Sequence, residues 1–224
     1  MATRTIENYL KQLYLEEQQT PTDTPVAMGR LATIMSVVPG TATTMVKALA
    51  DSGLVHYSPR TGVQLTPAGN QLALHVLRRH RLVELFLVRH LGLDWSEVHD
   101  EAEELEHVIS DKVLDKIDAL LGHPTADPHG DPIPTATGHV PACDAISLVT
   151  CPLEVPVEIT RILDQEPQFL QFALQAQLTP GTRVRVIARN PQAESVVIDL
   201  IDPSPHQPLT LSLAAGAKFL VRAV

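Results

Sequence analysis

Cysteine is scarce in this sequence: among 224 residues only Cys143 and Cys151 carry a thiol. Neither stands in a Cys-x-x-Cys pair or beside a histidine cluster, which excludes zinc ribbons and redox motifs and leaves two reduced bystander thiols as the expectation. No apolar run reaches about 18 residues, so no membrane helix is expected. Met1-Ala2-Thr3-Arg4 leads straight into an amphipathic segment with no apolar signal core, and a cytoplasmic location is the expectation. An excess of positive charge is missing too: the formal net charge is −9, which argues against indiscriminate coating of nucleic acid. The His-Glu-x-x-His and Gly-x-Ser-x-Gly signatures of zinc proteases and serine hydrolases do not occur, and there is no internal repeat.

What is present is unevenly distributed. Residues 1–80 hold seven Lys/Arg against five Asp/Glu, residues 81–130 four against twelve, and residues 131–224 six against nine. A weakly basic head is thus joined to a strongly acidic middle. The length allows two or three small domains.

Along the chain, Ile6, Tyr9, Leu10, Leu13 and Tyr14 have the spacing of one buried helix face over Thr5–Gln18. Shorter helices are expected near 26–35 and 41–51, with Pro39-Gly40 stopping the first and Thr41 capping the second. Two strands, 53–57 and 63–65, flank the turn Ser58-Pro59-Arg60-Thr61-Gly62. Helix, helix, turn, helix, hairpin is the order of a winged helix-turn-helix. A long helix opens at Thr66-Pro67 and runs to about His90; two more are expected near 95–107 and 110–121. Residues 122–146, rich in Pro, Gly, Asp and Thr, read as a linker or extended crossing segment. Beyond them come strands at 155–162, 183–188, 196–201, 209–213 and 218–223, with one helix near 167–177, a pattern that suggests a small β-barrel.

A helix that lies in the major groove needs small polar side chains on one face. Thr41, Thr43, Thr44 and Lys47 offer that face, Pro39 opens it, and Met45, Val46 and Leu49 point inward. Lys47, Arg30 and Arg60 are the expected phosphate contacts. Winged helices also mediate protein contacts, so the head alone leaves that alternative open. With so few basic residues, two heads on a two-fold DNA site are expected.

The acidic middle carries the sharper signal. His80 and Glu84 stand at i and i+4, and His99, Glu103, Glu106 and His107 at i, i+4, i+7 and i+8, so each set shares a helix face. Imidazole and carboxylate ligands without thiolate suit Mn²⁺, Fe²⁺ or Co²⁺ better than structural zinc. Against this, Glu and His are frequent on solvated helix faces, as His75, His90, His123 and His139 illustrate. Two competing readings follow: a metallo-hydrolase, which would need an open coordination position and a general base, and a metal-independent winged-helix regulator.

Three segments then resemble the diphtheria toxin repressor family. They are Arg79–Glu84, Val98–Asp111 and Pro128-His129-Gly130-Asp131-Pro132-Ile133-Pro134, supported by Asp51-Ser52-Gly53-Leu54-Val55 and Leu65-Thr66-Pro67-Ala68-Gly69. Leu178-Thr179-Pro180-Gly181 resembles the ferrous-transport-A type, SH3-like tail of longer members. The resemblance implies a non-enzymatic homodimer whose affinity for palindromic operator DNA rises with metal, repressing metal-uptake genes when metal is replete. It places Glu103, Glu106 and His107 at a primary site and His80, Glu84 and His99 at an ancillary one, with Glu166 or Gln168 reaching from the tail. A carboxylate at 103, where iron-responsive members carry cysteine, resembles the manganese-responsive branch, with Fe²⁺ as the alternative. Asn8 stands where that branch places aspartate, with Lys11 one turn later, and Asp127 is expected to complete the primary site. The implied domains are 1–70 (winged helix-turn-helix), 71–140 (helical dimerisation and metal binding) and 141–224 (SH3-like β-barrel).

Overall fold

The computed structural model describes residues 3–21, 24–142, 144–201 and 207–224; Cys143 lies outside them. The chain forms two compact units, one of Met1–His80, Glu103–Leu114 and Pro134–Val140, the other of Arg81–Ala102, Asp115–Ile133 and Pro141–Val224.

In the first unit, α1 (Arg4–Gln19) starts where the Thr3 hydroxyl accepts the Ile6 N–H, and it buries Tyr9, Leu10, Leu13 and Tyr14 as its spacing predicts. α2 (Met28–Ile34) ends before Ser36, whose φ of 52° turns the chain. α3 (Pro39–Asp51) begins two residues earlier than expected, and Thr41 is not its cap. Val38 is the N-cap without a side-chain bond, and Pro39 takes the first helical position, where its fixed φ helps and its missing N–H costs nothing. β1 (Val55–Ser58) and β2 (Gly62–Leu65) pair antiparallel, and Val26 adds a bridge to Val63. Gly62, at φ +122°, makes that bridge possible, because a Cβ there would sit 2.4 Å from the Val26 carbonyl oxygen. Leu10, Leu13, Leu31, Val46, Leu49, Val55 and Val63 close one core under the helix-turn-helix and its hairpin. Each contributes about 1.5–3 kcal/mol of burial.

α4 (Pro67–Leu91) opens where the Thr66 hydroxyl accepts the Gly69 N–H. α5 (Val98–Leu105) and α6 (Asp111–Leu120) follow. No helix among the described residues is long and apolar enough to cross a membrane.

The second unit holds the tail. Its strands β3 (Ile146–Ser147), β4 (Pro156–Ile162), β5 (Arg183–Asn190), β6 (Ser195–Leu200), β7 (Leu209–Ser212) and β8 (Phe219–Ala223) form one antiparallel sheet of order β3-β8-β4-β5-β6-β7. α7 (Pro167–Gln175) follows β4, and α8 (Leu213–Gly216) precedes β8. The short β3 and α8 carry too few residues for a periodic signal. Register shifts at Ile159/Arg161 and Val186/Ala188 bend the sheet. Among the described residues β3 and β7 stand at its two ends rather than pairing into a closed barrel. Alternate residues of β4, β5 and β6 bury Val157, Ile159, Val184, Val186, Val196 and Ile198 around Trp95, Leu170 and Phe219. Cys151 is buried in this core, and burial raises its thiol above the ordinary range.

The linker expectation fails for residues 125–133. Thr125 accepts the Ile133 N–H, Ala126 bridges Pro132, and Asp127 Oδ1 accepts the N–H groups of His129 (2.8 Å) and Asp131 (2.9 Å). An Asx-type turn of this kind folds a polar, Pro-rich stretch into the interior without orphaning its backbone.

Candidate metal centre and reading helix

Ligand-type side chains gather within each unit. In the first unit α1 presents Glu7, Asn8 and Lys11 along one face, and the end of α5 with the turn after it presents Glu103, Glu106 and His107. His80 closes the set. Ligand atoms of His80, Glu103 and Glu106 lie within 4.8 Å of one another. His80 Nδ1 is 2.6 Å from Glu106 Oε2, and His107 Nδ1 is 2.6 Å from Glu7 Oε2. Glu106 is completely buried. The negative charge is met by Lys11, also buried, whose ammonium donates to Glu106 Oε1 at 2.7 Å and to Glu103.

Asn8 Oδ1 is buried without a hydrogen-bond partner, and His107 Nε2, also buried, makes no well-aligned hydrogen bond but lies 3.2 Å from Glu106 Oε1. A lone pair stranded away from water costs about 1–3 kcal/mol. Both atoms are of the kind that bind hard or borderline divalent ions, so the donor set fits such an ion once the Lys11 ammonium is drawn aside.

In the second unit Glu84, Asp127 and His129 are all buried, with ligand atoms within 4.8 Å of one another. His129 Nε2 lies 2.8 Å from the Trp95 carbonyl oxygen, so it must donate there, and the other nitrogen, Nδ1, is left with its lone pair. That Nδ1 is buried and has no partner. Burial, then the charges of Asp131 and Glu84, push the Asp127 carboxyl well above the usual aspartate range. Arg81 offsets part of the charge, 3.7 Å from both Asp127 and Asp131, while Arg161 and Gln165 hold Asp131. A proton-hungry carboxylate beside a bare imidazole nitrogen is a second donor set that fits a divalent ion. Asp127, expected with Glu103, Glu106 and His107, is brought to Glu84 and His129 instead. The cause is the turn at 127–131, which the sequence pattern disguises as a linker.

Three further expected ligands belong to the second unit. His99 Nδ1 is 3.2 Å from Glu84 Oε1 and half exposed. Glu166 shares with His99 the lining of an open cleft of 610 Å³ that Asp164 and Lys218 also border. Gln168 is exposed and does not line that cleft. Sequence reasoning missed Glu7 and His129. Glu7 precedes Lys11 by one helical turn on the buried face, which is a readable signal; His129 was visible only as part of a motif.

On α3 Thr41, Thr44 and Lys47 are exposed and Thr43 is partly so, and Arg60 projects from the hairpin turn. The hydroxyls of Thr43 and Thr44 donate to the carbonyls of Pro39 (2.8 Å) and Gly40 (3.0 Å), which leaves their oxygens as acceptors and their methyls as apolar contacts. Arg30 is bound through two nitrogens by Glu16, at 2.8 and 2.9 Å.

Comparison with known proteins finds three family matches along the chain. Residues 1–63 match the N-terminal DNA binding domain of iron dependent repressors, residues 66–135 their metal binding and dimerisation domain, and residues 146–204 the FeoA domain. The diphtheria toxin repressor of Corynebacterium glutamicum is 32% identical over 220 residues, covering 90% of this chain and 93% of that protein. The chain belongs to the diphtheria toxin repressor family. Another similar protein is the iron-dependent repressor IdeR of Mycobacterium bovis, 33% identical over 81% of this family member and 83% of its own length. Among solved structures, a manganese-dependent transcriptional repressor in complex with manganese is 37% identical, with a TM-score of 0.86, covering 98% of this chain and 100% of that one.

Proposed function

We propose that this family member is a Mn²⁺-responsive repressor that binds operator DNA, with Fe²⁺ as the alternative ion. The observation that carries the reading is that α1, part of the DNA-reading head, supplies Glu7 and Asn8 to the cluster of Glu103, Glu106 and His107. Glu7 holds His107 at 2.6 Å, so the head and the metal-ligand segment already share a polar joint.

Asn8, Glu103, Glu106 and His107 would hold one ion. Glu84, Asp127 and His129 would hold a second, with His80 and His99 retained from the sequence pattern and Glu166 or Gln168 as donors from the tail. A bound ion supplies two positive charges where the protein has gathered carboxylates. Everything else is done by the chain. Asn8 would gain a partner for a lone pair now stranded, Glu103 and Glu106 would stop repelling each other, and α1 would be fixed in one orientation. That orientation would present α3, with Thr41, Thr43, Thr44 and Lys47, to the major groove and Arg60 to the backbone. Coupling of this kind is reciprocal: operator DNA must tighten metal binding by the factor by which metal tightens DNA binding.

A homodimer on a palindromic operator completes the proposal, since one head offers few basic contacts. Val108 and Val113 in the first unit and Leu91 and Leu120 in the second stay exposed, as residues awaiting a second copy would. The proposed domains are 1–70, 71–140 and 141–224, the last closing as an SH3-like barrel. A cytoplasmic protein that represses metal-uptake genes under replete metal is the corresponding role.

Titration of labelled operator DNA with the protein in chelator, Mn²⁺, Fe²⁺, Co²⁺ and Zn²⁺, repeated for Glu103→Ala, tests this. Mn²⁺ should promote binding and the substitution should abolish the promotion. Equal affinity with and without chelator would reject the reading in favour of a metal-independent regulator, with Lys11 as the permanent counter-ion.

A further inference from the structure

Lys11 is among the largest fully buried side chains of the described residues, only 2% exposed, and it lies inside the donor set rather than beside it. Lysine is almost never buried unless paired, and here the pairing is specific: one ammonium bridges Glu103 and Glu106. It satisfies those two carboxylates and leaves the neighbouring Asn8 Oδ1 without a hydrogen-bond partner, while His107 Nε2 stands 3.2 Å from Glu106 Oε1. An ammonium carries one positive charge and offers only hydrogen-bond donors in directions its flexible stem allows, so it covers part of the cluster's demand and no more.

A divalent ion bound to Glu103 and Glu106 would need the space that the ammonium fills. Two cations a few ångströms apart in a poorly solvated site repel strongly, so the occupants exclude each other. Resting on the metal-dependent reading above, we propose that Lys11 is a tethered cationic competitor at the Glu103/Glu106 cluster. It holds the cluster together without metal and sets the concentration of divalent ion at which Asn8, Glu103, Glu106 and His107 exchange the ammonium for an ion. The four-carbon stem lets the ammonium withdraw toward water, where its hydration offsets part of the broken ion pair. Lys11 thereby raises the metal threshold and protects the apo protein from collapse of its acidic cluster.

The test measures Mn²⁺ binding to the full-length, metal-stripped chain by electron paramagnetic resonance of the free ion. Wild type, Lys11→Met, Lys11→Gln and Lys11→Arg are compared, each with and without Glu103→Gln to identify the sites that depend on this cluster. Melting curves in chelator and in Mn²⁺ accompany each titration. The Glu103-dependent class should tighten by about tenfold or more in Lys11→Met and Lys11→Gln, because no ion pair remains to be broken. It should stay weak in Lys11→Arg, which keeps the charge. The two uncharged variants should melt earlier than wild type in chelator and recover in Mn²⁺. Unchanged or weaker Mn²⁺ binding by folded Lys11→Gln, or an Arg variant that behaves like the Gln variant, overturns the proposal. If no variant shows a Glu103-dependent class and wild-type DNA affinity ignores chelator, the metal-dependent reading fails and takes the proposal with it.

Discussion

Gly130→Ala isolates the turn that carries the second cluster. Gly130 has φ +89°, and an added Cβ would sit 1.9 Å from the Thr160 carbonyl oxygen and 2.7 Å from the Arg161 Cα. Both obstacles are backbone, so no side chain can swing away. The left-handed conformation costs an alanine about 1–2 kcal/mol and relief of the clash about 1–3 kcal/mol more. The sum, roughly 2–5 kcal/mol, should lower the melting temperature of the second unit by roughly 5–15 °C. Trp95 is the sole tryptophan, lies in that unit's core and stacks on His129 with ring centroids 5.4 Å apart, so its fluorescence reports this unit alone. Thermal unfolding followed by Trp95 emission is therefore the assay. Gly181→Ala is the control: its φ is +94° with nothing within 4 Å, so it bears only the conformational cost of about 1–2 kcal/mol. A Gly130→Ala transition no lower than that of Gly181→Ala would refute the claim that the chain at 160–161 pins the turn.

Two further outcomes are expected. Removing the exposed Lys47 or Arg60 should weaken operator binding and reduce the slope of log affinity against log salt by about 0.9 for each phosphate left without its cation. Arg30→Ala should change it less, because Glu16 already binds that guanidinium, and equal effects of all three substitutions in filter-binding series would contradict this. Burial raises the Glu17 carboxyl above its ordinary value of 4.5 despite the Leu65 N–H it accepts at 2.8 Å. A raised acid destabilises the fold when ionised, so its cost is absent below pH 4.5 and complete above the folded pKa. Glu17→Gln, whose amide oxygen still accepts the Leu65 N–H, should therefore be the more stable form at neutral pH. Its advantage over wild type should vanish in acid, as read by circular dichroism melts across pH.

Sequence reading reached far where periodicity is strong. The buried stripe of α1, the length of α4, and the alternation of β4, β5 and β6 each follow from residue spacing, because burial of one face is a local demand repeated along the element. It fell short where a single short-range bond decides. α3 starts at Pro39 rather than at Thr41, since proline at the first helical position needs no side-chain cap. β3 has two residues and no period to read.

Spacing alone determined that His80 shares a helix face with Glu84 and that the ligands are imidazoles and carboxylates, but α5 ends at Leu105, so Glu106 and His107 stand in the turn after it and not on one helical stripe with Glu103. Only the tertiary structure decided the partners across elements. It put Lys11 between two carboxylates, Glu7 on His107, and Asp127 with His129 beside Glu84. Helical periodicity fixes which side chains point the same way from one axis. Which axis they meet depends on how apolar faces pack, and on a turn closed by Asp127 that no periodicity encodes.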